Sequence, residues 1–213
     1  MQNKKLVLMS LVSLFLIFLG SAYIYKNNQS EKFENMLKTQ SSIFQREHSF
    51  VIGNSNAKVQ LVEFFDPACE TCAQFHPYVK EIMKQNEGKI KLVLRYAPFH
   101  KNSNYAVMML EAAREQGLFM EALELMFETQ EYWVVHHEVN LKVLREILKT
   151  IKNIDMGKIE QYMNSEKVNQ IIKQDLEDAK KLEANKTPSY FVNGKPLQEF
   201  GLENLKRLIN SEL

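Results

Sequence analysis

The feature that most constrains this chain is a short apolar run that leads into a pair of cysteines. Val59, Leu61, Val62, Phe64 and Phe65 dominate a seven-residue window, with Gln60 and Glu63 as its polar members. Near-continuous apolar runs of this length suit strands buried on both faces of a sheet. Asp66-Pro67 ends the run, as a turn dipeptide does. Cys72, Phe75, His76, Val79, Ile82 and Met83 then recur at helical spacing, so a helix starts near Cys69 with Pro77 inside it, where a proline bends a helix. Ile90–Tyr96 is a second strand candidate. Strand, helix and strand in that order predict a parallel pair with a right-handed crossover.

From Asn104 to about Ala184 the periodicity is helical: Tyr105–Gln116, Leu118–Gln130, Leu141–Ile151, Met156–Asn164 and Val168–Ala184. Asn140 and Asp155 suit N-caps and Gly117 a helix stop. Ser189–Val192 and Lys195–Gln198 flank Asn193-Gly194, the strongest short hairpin signal. Leu202–Leu213 closes the chain as an amphipathic helix. The order is βαβ, a helical block, then ββα, which makes an α/β fold around a central mixed sheet.

Lys4 and Lys5 precede a run from Leu6 to Tyr25 without a charge. Twenty helical residues span about 30 Å, the thickness of a bilayer core. Lysines on that side favour a cytoplasmic N-terminus and an exported body. Residues 1–25 thus read as a signal-anchor, the membrane contact being residues 6–25. A signal peptide cleaved before Tyr23, after Gly20 and Ala22, is the alternative, although the run exceeds the usual signal core. Residues 26–48 read as a polar stalk and 49–213 as one domain, with the helical insertion over about 102–184. The net charge of +1 gives no field that would draw nucleic acid.

The chain holds two cysteines, Cys69 and Cys72. A two-residue gap closes almost no loop, so as a staple the pair contributes little entropy. At the start of a helix, free N–H groups and the helix dipole stabilise an anion, and the thiolate is the nucleophile in disulfide exchange. Cys72, one turn later, is placed to attack a mixed disulfide. A zinc site needs more ligands: His76 shares the helix with Cys72, but no fourth ligand stands at recognisable spacing, so no metal is expected. Glu63 precedes Cys69 by six residues. Buried, its pKa rises and it can take the proton of Cys72; at a strand end it is an ordinary exposed ion-pair partner.

Several segments together resemble the DsbA-like family of thioredoxin-fold oxidoreductases. These are Ile52-Gly53-Asn54-Ser55-Asn56-Ala57-Lys58-Val59, Val62-Glu63-Phe64-Phe65-Asp66-Pro67-Ala68-Cys69-Glu70-Thr71-Cys72, Pro77, Gln130-Glu131-Tyr132-Trp133, and Asn185-Lys186-Thr187-Pro188-Ser189-Tyr190-Phe191-Val192-Asn193-Gly194. The resemblance implies a thioredoxin-like fold in which Cys69 is the nucleophile, Cys72 the resolving cysteine and Glu63 the buried acid. It implies a cis Pro188 facing the cysteines, with the Thr187 backbone pairing with an extended substrate. The activity implied is disulfide exchange with exported cysteine-containing proteins on the periplasmic side of a bacterial inner membrane. No cofactor is implied beyond the Cys69–Cys72 disulfide; a membrane redox partner reoxidises or reduces it. Strongly oxidising members carry Pro-His between the cysteines, and here Glu70-Thr71 stands there. A carboxylate disfavours the Cys69 thiolate, so a weaker oxidant is expected. A disulfide donor is the leading reading. The alternatives are a reductase or isomerase kept reduced by a membrane partner, and a non-catalytic peptide-binding module of the same fold.

Other features have blander readings. His136-His137 with Glu138 reads as a solvated turn rather than a metal cluster. Tyr132 and Trp133 read as core of the insertion, with the lining of a substrate groove as the alternative. Met108, Met109, Met120 and Met126 fall at helical spacings and read as core, with Met120 or Met126 at an adaptable peptide-binding surface as the alternative. The charges of Lys173–Lys181 read as one solvated helix face.

Overall fold

A computed structural model describes residue 14, residue 16, residues 18–21 and residues 41–213. Two units separate, residues 1–43 and 44–213. In the first, the residues described near 14–21 are helical. Among the described residues no helix is long and apolar enough to cross a membrane. Most of the expected anchor at 6–25, and of the stalk at 26–48, lies outside the described residues.

The second unit is built on a five-stranded sheet. Its strands are β1 (Phe50–Gly53), β2 (Val59–Phe65), β3 (Ile90–Tyr96), β6 (Ser189–Val192) and β7 (Lys195–Pro196), in the spatial order β1-β3-β2-β6-β7. The strands β4 (Val134–Val135) and β5 (Glu138–Val139) form a separate hairpin. β2 and β3 run parallel, from Val59↔Ile90 to Phe65↔Tyr96. β2 is flanked on its other side by antiparallel β6, with Glu63 opposite Tyr190. Six of seven residues in each of β2 and β3 are buried, as central strands covered on both faces require. β1 was not foreseen as a strand. It is only four residues long and half-buried at the edge, too short for periodicity to show. The β6–β7 turn is Asn193-Gly194 with φ +47° and +80°, the primed geometry the dipeptide signals.

Helix α1 (Glu70–Gln85) links β2 to β3 and buries Cys72, His76, Val79 and Ile82, with Pro77 inside it. The insertion holds α2 (Ser103–Arg114), α3 (Phe119–Glu128), α4 (Gln130–Trp133), α5 (Leu141–Leu148), α6 (Met156–Met163) and α7 (Glu166–Lys181); α8 (Leu202–Asn210) ends the chain. Asn140 accepts from the Val143 N–H, and Asp155 from Gly157 and Lys158, so both cap as expected. Trp133 is fully buried and donates to the Met126 carbonyl at 2.9 Å. Tyr132 is 63% exposed, which corrects its reading as core: the one-turn helix α4 turns Trp133 inward and Tyr132 outward. Met108, Met109 and Met126 are buried, and Met120 is half-buried.

The charges on α7 are also corrected. Asp175 and Asp178 are fully buried. The equally buried Arg95 of β3 donates to Asp175 at 2.9 and 2.7 Å and to Asp178 at 2.7 Å. Arg46 adds two bonds to Asp178 at 2.8 Å, and His48 reaches Asp175 at 2.5 Å. Residues 46–48, read as stalk, thereby pack on the domain. A buried ion pair is costly to desolvate and more costly to break, so this network fixes α7 to the sheet once every member is present.

Candidate functional site

The site forms where β2 ends, because the strand delivers its last residues to the N-terminus of α1. Cys69 is the N-cap of α1, with extended backbone (φ −83°, ψ 116°). Its own N–H donates to the Asp66 carbonyl at 3.0 Å. Both cysteines are buried free thiols, Cys69 6% exposed and Cys72 not at all. The two differ sharply in acidity. The Cys72 thiol donates to the Cys69 sulfur, and that bond does most to bring the Cys69 pKa from 9.0 to about 6. Burial opposes the drop; the Thr187 side chain and the N–H groups of Cys72 and Thr71 assist it. Burial, the same S–H donation and the nearby Glu63 push Cys72 well above the ordinary thiol range. The helix terminus thus makes one good nucleophile and one guarded thiol.

The Thr187–Pro188 bond is cis. It brings the Thr187 carbonyl to 3.2 Å from the Cys69 Sγ, where the thiol donates to it. Pro188 is buried and Thr187 half-buried. An extended peptide laid along residue 187 would run past the Cys69 sulfur. Glu70 is exposed in the first turn of α1, and Thr71 is half-buried.

Glu63 lies behind the cysteines, 3% exposed. The cross-strand register sets Tyr190 opposite it, and the Tyr190 hydroxyl donates to Glu63 Oε1 at 3.2 Å. Burial raises the Glu63 carboxyl from 4.5 to about 8; the Tyr190 bond holds it down somewhat, and Cys69 pushes it up. Near neutral pH it therefore carries a proton a short step from the high-pKa Cys72. Of the two readings of Glu63, the exposed ion-pair partner does not fit this burial.

Three supports were not legible in the sequence. Asp66, fully buried, accepts from the Ala68 N–H at 2.9 Å, the Phe99 N–H at 2.8 Å, the His100 N–H at 2.9 Å and the Ser103 hydroxyl at 3.1 Å. The His100 Nδ1 lies 2.8 Å from the same carboxylate. Gln130 donates to the Pro67 carbonyl at 2.8 Å, so the insertion props the cysteine loop. Phe75 bridges Tyr190 and Phe200, at ring separations of 6.3 and 4.6 Å. Apart from the local Asp66–Ala68 bond, each is a contact between residues at least 33 apart, and only the Asp66 turn position hinted at one of them. His76 packs 5.1 Å from the Phe127 ring. His136 and His137 form an exposed turn, both at positive φ, +51° and +61°, between the strands of the β4–β5 hairpin. Among the described residues no three His, Cys, Asp or Glu side chains gather as metal ligands.

Residues 45–211 match the family model described as Thioredoxin. A putative protein-disulfide oxidoreductase of Rickettsia typhi is 25% identical over 173 residues, covering 78% of this chain and 62% of that protein. The chain thus spans less than two thirds of that relative's length. A probable disulfide bond formation protein D of Bacillus anthracis is 26% identical over 225 residues, covering 99% of this chain and 97% of the other. Among solved structures, oxidised BdbD from Bacillus subtilis has a TM-score of 0.65 at 23% identity, covering 76% of this chain and 91% of that one. With the match to the family model spanning nearly all of the second unit, the chain belongs to the thioredoxin family.

Proposed function

We propose that the protein is a protein-disulfide oxidoreductase that donates its Cys69–Cys72 disulfide to cysteine-containing proteins outside the cytoplasm. The observation that carries this is the placement of the pair, with Cys69 at the N-cap of α1, 3.2 Å from the Thr187 carbonyl, and Cys72 fully buried near Glu63, which splits their acidity by lowering Cys69 and raising Cys72. A binding module would have no use for such a split. Stabilising the Cys69 thiolate stabilises the reduced pair, which makes the disulfide a better oxidant.

In the donating direction a client thiolate attacks the Cys69 sulfur. The Cys69–Cys72 bond breaks, and Cys72 leaves as a thiolate. Glu63, protonated near neutral pH, supplies the proton that this buried sulfur needs. A second client thiolate then attacks the client sulfur of the mixed disulfide, and the Cys69 thiolate leaves. The client loses two electrons and gains a disulfide; the cysteine pair gains both. The Thr187 carbonyl and Pro188 align the client strand. Glu70 and Thr71 tune the potential, the exposed carboxylate of Glu70 drawing it toward the reducing side. That effect favours a second reading, a reductase or isomerase kept reduced by a membrane partner. In the donor reading a membrane partner reoxidises the pair, and residues 6–25 anchor the protein, or direct its export before cleavage.

The test is a Cys72→Ala variant mixed with an unfolded secretory protein that carries a disulfide, which the Cys69 thiolate attacks with departure of one client thiolate, alongside the oxidised wild type mixed with the same protein fully reduced. Mixed disulfides through Cys69 are expected to accumulate, and the oxidised wild type should convert two client thiols per molecule. No trapped complex and no client oxidation would leave only a binding role.

A further inference from the structure

His100 and His137 have no part in the exchange as described, yet they stand together at its edge. The loop after β3 and the β4–β5 hairpin are joined by the Val139 N–H donating to the Lys101 carbonyl at 3.1 Å, and by Lys101 Nζ bonding to Glu138 at 2.9 Å. This sets the rings of His100 and His137 5.7 Å apart, tilted by 32°. Tight two-residue turns favour Asn or Gly at positive φ, yet His136 and His137 occupy it here, at φ +51° and +61°.

Asp66 couples this corner to the nucleophile. One buried carboxylate holds the Ala68 N–H on the cysteine side and the His100 N–H and ring on the other. Its carbonyl accepts from the Cys69 N–H. The same Asp66 oxygen that accepts from the Phe99 and His100 N–H groups and the Ser103 hydroxyl lies 2.8 Å from the His100 Nδ1, so a hydrogen on Nδ1 donates to it. The opposite ring nitrogen, Nε2, is then the one that titrates, and the side chain is 21% exposed. The neighbouring cation, Lys101, is engaged by Glu138.

We propose that His100, oriented by Asp66 and flanked by His137, is a positioning residue that sets the acidity of Cys69 by presenting an imidazolium to its sulfur. The Asp66 bond, first, and then the charges of Asp66, Cys69 and Glu70 raise the His100 pKa, against the opposing effect of burial. Coupling is reciprocal: whatever the Cys69 thiolate does for the imidazolium, the imidazolium does for the thiolate. The ring contacts Asp66 at the end of β2 and His137 on the hairpin, and the charges of Cys69 and Glu70 at the start of α1 act on it. The stabilisation is present while His100 is protonated and is lost as pH rises through its raised pKa.

This rests on the disulfide-exchange reading, but its test does not need a client. His100→Asn keeps a donor near the position of Nδ1 for Asp66 and removes the titrating nitrogen. Thiolate absorbance against pH, in full-length reduced protein, should show the Cys69 pKa raised, with a several-fold loss of thiolate at pH 6. The His100 ring, followed by NMR in the wild type, should titrate at lower pH once the Cys69–Cys72 disulfide forms, because the thiolate is gone. His100→Asn with an unchanged Cys69 pKa, or a His100 titration indifferent to the redox state, would overturn the coupling. Failure of client oxidation with both shifts intact would overturn the proposed function and leave the coupling standing.

Discussion

Replacing Glu63 by Gln isolates what the buried acid costs and what it does. The carboxyl titrates at about 8 in the fold and at an ordinary 4.5 when unfolded. Between these values the native state holds a proton that the unfolded chain has released, so stability falls as pH rises. The difference of about 3.5 pH units, at about 1.4 kcal/mol per unit, sets an upper limit of about 5 kcal/mol above pH 8. Roughly 3 kcal/mol of that is already felt at pH 7. Gln keeps the shape and can accept the Tyr190 hydrogen bond, but it cannot ionise. Urea unfolding of the reduced protein at pH 4.5, 6, 7 and 8 should show the variant gaining about 2–3 kcal/mol over wild type by pH 7 and little below pH 5. Parallel stability curves across that range would refute the burial argument. The same variant should slow the closing attack of Cys72 by roughly 100-fold, the scale of a lost general base; an unchanged rate would remove Glu63 from the chemistry.

Three further outcomes follow from the geometry. Asp178→Asn weakens the pairing of the buried Arg95 and Arg46 and should cost about 3–5 kcal/mol in denaturant unfolding. Although burial raises the Asp178 pKa, bonds from Arg46 and Arg95 hold it below the ordinary 3.8, so its contribution is full above that value and fades as pH falls through the native pKa. Gln130→Ala strands the Pro67 carbonyl and should cost about 1–3 kcal/mol, with hydrogen exchange of the Ala68 and Cys69 amides accelerated more than that of β1. Trp133→Ala opens a cavity in the insertion and should lower stability by about 3–5 kcal/mol, whereas Tyr132→Ala, exposed, should change it by less than about 0.5 kcal/mol.

What the sequence revealed and withheld divides along physical lines. β2, β3 and β6 were legible because buried strands need unbroken apolar runs, and Asn193-Gly194 because few dipeptides accept two positive φ values. The cysteine pair and the start of its helix were legible because the chemistry fixes spacing. The buried arginine and its two aspartates were not. Asp175 and Asp178 on a helix of alternating charge look the same in solvent as in the core, and Arg95 lies 80 residues away from the nearer one. The β4–β5 hairpin escaped notice because two-residue strands carry no periodicity and histidines fill its turn. Glu63 sat between two readings until its register opposite Tyr190 was known. His100 meets Asp66 only through tertiary structure, although both flank loops that the strand ends predict.

The reduction potential of the Cys69–Cys72 pair, from thiol alkylation after equilibration in graded glutathione buffers, bears most directly on disulfide donation. A value near roughly −120 to −180 mV, among the protein-oxidising couples, is expected from the stabilised Cys69 thiolate. A value near roughly −230 to −270 mV would contradict donation and point to a reductant or isomerase supplied with electrons from the membrane.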